Sequence, residues 1–116
     1  MKAIYPAGPI SSGDLIQFLR NINAGNVWTA RLAELGFAPF PVFSDCLYLM
    51  NTRPGFTVQD IKDISLEWLR RSDAVAVIPG CAYLTSPGTM QEIAEAKQLG
   101  IPVFYTAEEL GRWAGE

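Results

Sequence analysis

The chain has 116 residues, 49% of them apolar, and a formal net charge of −3. Its length predicts one domain, residues 1–116, that can bury a core. No apolar run approaches the roughly 20 residues that cross a membrane. The lack of a lysine and arginine cluster argues against a nucleic-acid polymer as partner. With no histidine and only two, isolated cysteines, the sequence excludes histidine-based acid–base chemistry and the usual metal sites, so we expect no metal and no cofactor.

A short strand and two helical stretches fill the first third of the chain. The opening residues lack a signal-peptide pattern, so we expect a cytoplasmic protein. Lys2–Tyr5 predicts the first strand, which the segment 6–9 closes. The segment 11–14 offers caps for a helix whose apolar positions are Leu15, Phe18, Leu19 and Ile22. We expect Gly25-Asn26 to interrupt this helix, after which a second stripe runs to Gly36 through Trp28, Leu32 and Leu35.

The middle of the chain is less regular. Phe37–Phe43 predicts a second strand, which its two prolines confine to an edge of the sheet. The segment 44–56 contains Tyr48, Leu49 and Met50, which suit a lid, a subunit contact or a plain surface loop. Thr57 begins the next helix, with Asp60 completing an imperfect capping box. One face of that helix is apolar except for Ser65, and we expect its charged residues, Lys62 among them, to face mostly outward.

The most informative stretch runs from Asp73 to Ala96. Ala74–Ile78 is short, apolar and rich in β-branched residues, which is typical of a buried parallel strand. Pro79-Gly80 ends this strand, and Ser86 and Pro87 then serve as N-cap and first residue of a helix. The free backbone N–H groups and the dipole of such a helix N-terminus favour an anion.

Glu92 makes this stretch a candidate for chemistry as well as anion binding. It lies four residues after Gly88, on the same helix face, and helical side chains lean toward the N-terminus. The Glu92 carboxylate should therefore hang over the space that glycine leaves, in a position to attack a sugar that carries a 5′-phosphate. The alternative is an ordinary solvated glutamate, which is what we expect Glu95 to be.

The remaining elements complete an α/β pattern. Ile101–Tyr105 predicts a last strand, and Thr106 caps a terminal helix through Trp113. Alternating strands and helices predict a three-layer sandwich with a parallel sheet of four to five strands in the order 2-1-3-4(-5). Ligands bind beyond the carboxyl ends of such strands at the switch point, where the loops at 5–9 and 79–88 converge. No phosphate-binding loop of the Walker type and no Gly-x-Gly-x-x-Gly is present, which favours a small site for a mononucleotide.

Three groups of residues together carry a resemblance to a known family. They are the opening motif Tyr5-x-Ala7-Gly8-Pro9, Asp73 before the central strand, and Ser86-Pro87-Gly88-Thr89-x-x-Glu92. In this order they resemble the nucleoside 2-deoxyribosyltransferase superfamily, and within it a small branch similar to the nucleoside 5′-monophosphate N-glycosidases. The likeness spans residues 2–105 and is weak in the segment 44–56. It implies a flavodoxin-like, Rossmann-like sheet and cleavage or exchange of an N-glycosidic bond.

The resemblance also implies roles for individual residues. Glu92 matches the family's nucleophilic glutamate, which forms a glycosyl-enzyme ester, and Tyr5 matches the tyrosine that orients it. Ser86 matches the position that reads the 5′ end of the sugar, where serine accompanies phosphate and aspartate a free hydroxyl. The candidate substrate-binding residues are Gly8, Pro9, Ser65, Gly80, Ser86, Gly88 and Thr89.

One departure from the family pattern leaves the function open. Eight residues before Asp73, this chain has Ser65. The family has an aspartate at that position, which helps to protonate the leaving base. A hydroxyl cannot supply a proton as a carboxylic acid can. Asp63 lies on another helix face, and Asp45 follows the second strand with nothing in the sequence to show that it reaches the cleft. We expect hydrolysis of a (deoxy)nucleoside 5′-monophosphate, with a deoxyribosyltransferase or a non-catalytic nucleotide-binding sensor as alternatives.

The large apolar residues predict self-association. Three tryptophans and the apolar loop at 48–50 exceed what one small sheet covers easily, and two-fold dimers are the commonest homo-oligomers. We expect a homodimer or higher homo-oligomer, with contacts from Leu15, Phe18, Trp28 and Trp68. The resemblance implies the same, because family members complete their sites with residues from a neighbouring subunit.

Overall fold

A computed structural model describes residues 1–115. Its sheet has four parallel strands in the order β2-β1-β3-β4. The strands are β1 (Ala3–Ala7), β2 (Ala38–Pro39), β3 (Ala74–Val77) and β4 (Val103–Phe104). The helices are α1 (Leu15–Glu34), α2 (Cys46–Leu49), α3 (Val58–Arg70), α4 (Pro87–Gln98) and α5 (Ala107–Ala114). This confirms the predicted α/β fold of the flavodoxin-like, Rossmann-like type and its strand order.

The central strands β1 and β3 divide their side chains between two layers, because successive side chains of a strand point to opposite faces. One face, which we name the α3–α4 face, has a core of Tyr5, Ala7, Val75, Val77, Val42, Phe43, Leu69, Ile93 and Ala96. The other, the α1–α5 face, has a core of Ile4, Ala74, Ala76, Trp28, Leu32, Phe37 and Leu110. The sheet therefore has helices on both faces, as the alternating pattern predicts.

Side-chain caps fix where α1, α3 and α5 begin. Asp14 accepts hydrogen bonds from the backbone N–H groups of Ile16 and Gln17 at the start of α1. Thr57 and Asp60 form a complete capping box at the start of α3, and Thr106 caps α5 through the Glu109 amide. Since each cap satisfies an amide that has no partner within the helix, these residues set the boundaries that the sequence predicts.

The predicted break at Gly25-Asn26 is wrong, because α1 runs without interruption over 20 residues. Gly25 is buried where α1 meets Phe43, and a Cβ atom at this position would overlap the Phe43 ring. The glycine therefore serves close packing and not a turn. The apolar residues in the first half of α1 lie mostly at the surface: Leu15 is 69% and Leu19 52% exposed, and the buried residues of α1 begin at Gly25.

The strands differ in length from their predictions. The second strand is two residues long, since Val42–Ser44 turns into a short 3₁₀ helix after the prolines, and the last is equally short. The first strand is longer and passes through Pro6. Ile4 accepts a hydrogen bond from Phe40 on the β2 side, and Pro6, two residues later, faces that side beyond the paired residues of β2. No ladder bond is lost there, so a proline is tolerated in a central strand.

Within residues 1–115, no helix combines the length and the apolar character that crossing a bilayer requires.

Candidate functional site

A cavity of about 520 Å³ opens beyond the carboxyl end of β1. Its walls come from the loop after β1, one face of α1, one face of α3 and the first turns of α4. The polar side chains that line it are Tyr5, Ser11, Ser12, Gln17, Asn21, Lys62, Ser65, Thr85, Ser86, Thr89, Gln91 and Glu92. The cavity thus lies where the sheet order predicts a ligand, between the ends of β1 and β3.

Tyr5 and Glu92 form the central pair of this cavity. The Tyr5 side chain is 1% exposed, and its hydroxyl donates a hydrogen bond to Oε2 of Glu92. Burial raises the pKa of Glu92 to about 7, although the hydrogen bond from Tyr5 works in the opposite direction. Burial, and then the charge of Glu92, hold the pKa of Tyr5 well above its usual range. Near neutral pH, Glu92 can therefore be ionised by a small change of conditions while Tyr5 remains a hydrogen-bond donor.

The N-terminus of α4 forms the neighbouring wall. The Ser86 Oγ accepts a hydrogen bond from the Thr89 amide at 3.3 Å and lies 2.8 Å from the Thr89 hydroxyl oxygen. Pro87 has no N–H, and the Gly88 amide belongs to the first turn, which has no partners within the helix. A Cβ atom at Gly88 would meet nothing within 4 Å. This wall therefore combines a capped helix N-terminus with open space beside it, as the sequence predicts.

Two further predicted residues, Gly8 and Pro9, line the cavity from the loop after β1. Gly8 is buried, and a Cβ atom there would overlap the Ile78 side chain. The glycine therefore lets the two strand ends lie close together, and it acts on the shape of the cavity through the backbone.

Ser65 and Gly80 have different positions. Ser65 lines the cavity from α3, on the stripe that also presents Ile61, Lys62 and Leu66. Gly80 does not line the cavity. Its φ of +113° is one that residues with a Cβ rarely adopt, so Gly80 turns the chain after β3 and is not brought to the site.

The sequence alone assigns no site role to two charged residues, Lys62 and Asp45. Lys62 is exposed, as expected, but it also lines the cavity; its spacing of three residues before Ser65 and four before Leu66 is the signal that could have identified it. Asp45 is only 8% exposed, and its burial raises the pKa of its carboxyl to about 6. Its charge contributes to the raised pKa of Tyr5, but Asp45 is not among the residues that line the cavity.

Metal binding has no structural support in the part of the chain that is described. Across residues 1–115, no group of three or more cysteine, aspartate or glutamate side chains lies close enough together to hold an ion.

No family model matches the chain, and no curated protein matches it. Its function therefore has to be inferred from the residues that the fold brings together in the cavity.

Proposed function

We propose that this protein hydrolyses the N-glycosidic bond of a (deoxy)nucleoside 5′-monophosphate and releases the free base. The observation that carries the proposal is the Tyr5–Glu92 pair: a largely buried carboxyl, hydrogen-bonded by a buried tyrosine, in the wall of a cavity of about 520 Å³. Structures rarely bury an ionisable group without a stabilising partner or a function. The motifs that resemble the nucleoside 2-deoxyribosyltransferase superfamily supply these same two residues.

In the first step of the proposed reaction, Glu92 attacks the anomeric carbon of the sugar. A bond forms between C1′ and a Glu92 oxygen while the bond from C1′ to the base nitrogen breaks, and the base leaves with the bonding electron pair. The departing base takes a proton from water and leaves hydroxide, because Ser65 stands where a carboxylic acid would supply that proton. In the second step, a water molecule attacks C1′ and gives a proton to that hydroxide, which restores the Glu92 carboxylate and releases the sugar phosphate.

Tyr5 contributes to this reaction by positioning Glu92. Its hydroxyl donates to one carboxylate oxygen and leaves the other free to attack. Because the Tyr5 pKa lies far above neutrality, the hydroxyl keeps its proton through the reaction. The pair therefore enters each cycle with the same orientation, which reduces the entropy lost in reaching the transition state.

The N-terminus of α4 supports the choice of a 5′-phosphate. Ser86 places a neutral hydroxyl where an aspartate would repel phosphate, and it adds no charge to a wall that already contains Glu92. The open space beside Gly88 lets an anion approach the Gly88 amide at the start of the helix. An anionic sugar substituent therefore suits this wall better than an uncharged one.

A second candidate function is nucleotide binding without efficient chemistry. The observation that favours it is Ser65, which lines the cavity at the position where an acid would assist the leaving base. Such a protein would bind monophosphates as a sensor and release no base. Transfer of the deoxyribosyl group to a second base is the third candidate, since the same covalent intermediate could react with a base in place of water.

Incubation with a panel of purine and pyrimidine ribo- and deoxyribonucleoside monophosphates tests these alternatives. Chromatography would measure free base and sugar phosphate, first with a single nucleotide and then with a competing free base added. We expect base and sugar phosphate in equal amounts with a single nucleotide. Binding without base release would support the sensor, and base exchange without net hydrolysis would support the transferase.

We also propose that the protein forms a homodimer, through the exposed first turns of α1. Leu15, Ile16 and Leu19 are each more than half exposed there, beside the cavity residues Gln17 and Asn21. Trp28 is 7% exposed and belongs to the core, so the expectation that it contacts a partner is wrong. Light scattering at micromolar concentration should give twice the mass of one chain, and a monomeric mass would contradict the proposal.

A further inference from the structure

Lys62 is the one cationic side chain among residues 1–115 that lines the cavity. Lys62 is exposed to solvent, and it lies one residue after Ile61 and three before Ser65, both of which also line the cavity. The ion pairs of the described residues are Arg70–Glu95 and Arg71–Glu67, so the Lys62 ammonium is not engaged by a carboxylate there. It is a free positive charge at the wall of a cavity whose other ionisable side chains are Tyr5 and Glu92.

The alignment of α3 with α4 places Lys62 at the level of the α4 N-terminus. All strand pairs are parallel, so the helices that connect them run in the same direction. The Arg70 guanidinium of α3 meets the Glu95 carboxylate of α4 at 3.2 Å. Lys62 precedes Arg70 by the same eight residues by which Pro87 precedes Glu95. Eight residues rise about 12 Å along a helix. Lys62 and Pro87 therefore both lie about this distance from the Arg70–Glu95 ion pair, in the direction of the helix N-termini.

A monophosphate needs such a charge in this cavity. The ligand would carry nearly two negative charges near neutral pH, the chain has a net charge of −3, and Glu92 is itself an acid. The dipole of one helix N-terminus contributes only a fraction of a positive charge. An ammonium group in the same wall adds a full charge and three donors, which changes the balance from repulsion to attraction.

We propose that Lys62 binds the 5′-phosphate of the substrate together with the first turn of α4, and thereby sets the preference for a nucleotide over a nucleoside. This inference depends on the proposed function, because it names the group that recognises the phosphate of that same substrate. Ser86 and Gly88 then shape the anion site, while Lys62 supplies its charge.

The test measures affinity for pairs of ligands that differ only in the phosphate. One pair is a nucleoside monophosphate and its nucleoside, measured in the E92Q background so that no base is released. The other is deoxyribose 5-phosphate and deoxyribose, measured with unaltered Glu92. The variants are Lys62→Met, which keeps the apolar stem, Lys62→Arg, which keeps the charge, and Lys97→Met, which removes a lysine of α4 that does not line the cavity.

We expect K62M to weaken binding of both phosphorylated ligands by about tenfold or more and to leave the uncharged ligands unchanged. K62R should retain most of the affinity, and K97M should behave as the unaltered protein. Added salt should reduce the difference between the unaltered protein and K62M, because exposed charges are screened.

Other results would overturn the inference. Equal weakening of phosphorylated and unphosphorylated ligands by K62M would give Lys62 a role in shape and not in phosphate recognition, and no weakening would give it no role. Failure of the unaltered protein to bind any phosphorylated ligand would overturn both this inference and the proposed function. If the protein binds deoxyribose 5-phosphate through Lys62 but releases base from no monophosphate, only the proposed hydrolysis is wrong.

Discussion

The two faces of the sheet use the same central strands for different purposes. On the α1–α5 face, the core is apolar, and the Trp28 indole N–H that enters it donates to the Ala76 carbonyl at 3.1 Å. On the α3–α4 face, the core includes Tyr5, and the buried or partly buried groups around it include two carboxyls with raised pKa values, Glu92 and Asp45. Burying a carboxyl costs free energy. The comparison indicates that one face provides stability, while the other gives up some stability to bury the carboxyls of the proposed site.

The largest expected effect comes from Glu92→Gln. This change removes the proposed attacking group, so base release should fall by roughly a thousandfold or more. The free energy of unfolding should stay the same or rise, because a largely buried acid is gone. Glu95→Gln is the matched control on the same helix, since Glu95 only pairs with Arg70 at the surface. Rates from chromatography and denaturant titrations would check both variants. Full base release by E92Q would show that the polar face has another nucleophile.

Leucine truncations on the two faces should separate stability from activity. Leu32→Ala and Leu69→Ala each remove a fully buried side chain, and each should lower the free energy of unfolding by about 2–5 kcal/mol. L32A alters the α1–α5 face and should keep its rate per folded molecule. L69A loosens α3, which carries Lys62 and Ser65, and should lower that rate as well. Equal loss of activity in both variants would contradict the division between the faces.

The pH dependence should also distinguish the faces. Glu92 has its pKa raised from 4.5 to about 7 and Asp45 from 3.8 to about 6, so the folded state holds these protons more tightly than the unfolded state. The stability that this tighter proton binding adds to the folded state is complete below pH 3.8 and is lost as the pH rises to about 7. Base release should change in the opposite direction and increase through pH 7, as Glu92 ionises. E92Q should remove the upper part of the stability change, and a pH-independent free energy of unfolding would contradict the assignment.

The smallest effect is expected at Ser86, where cap and ligand functions can be separated. Ser86→Ala removes the acceptor for the Thr89 amide and should cost about 1 kcal/mol of stability. Ser86→Asp keeps a good cap but places a carboxylate beside the proposed phosphate, so it should preserve stability and weaken monophosphate binding. Calorimetry with a monophosphate would measure the binding. Tight binding of the monophosphate by S86D would show that the anion does not bind at the N-terminus of α4.

Local signals in the sequence predict most of the fold and part of the site. The strand order follows from the alternation of elements, and the starts of α3, α4 and α5 follow from Thr57, Ser86 and Thr106, because a capping residue acts on amides within one turn. The continuous α1 could not be predicted, because Gly25 makes room for the ring of Phe43, which is distant in sequence. Lys62 and Asp45 could not be assigned to the site for the same reason. The burial of Asp45 and the place of Lys62 beside the cavity depend on which helices meet, and no local pattern encodes that.

The short outer strands have a consequence for how copies of this protein can meet. An exposed edge strand usually invites another chain to extend the sheet by backbone hydrogen bonds. Here β2 and β4 are two residues long, and Pro39 lacks an N–H group at one edge. Neither edge can template a long intermolecular ladder. Self-association must therefore proceed through side chains on the helices, and the folded protein is protected from the edge-to-edge stacking that leads to fibrous aggregates.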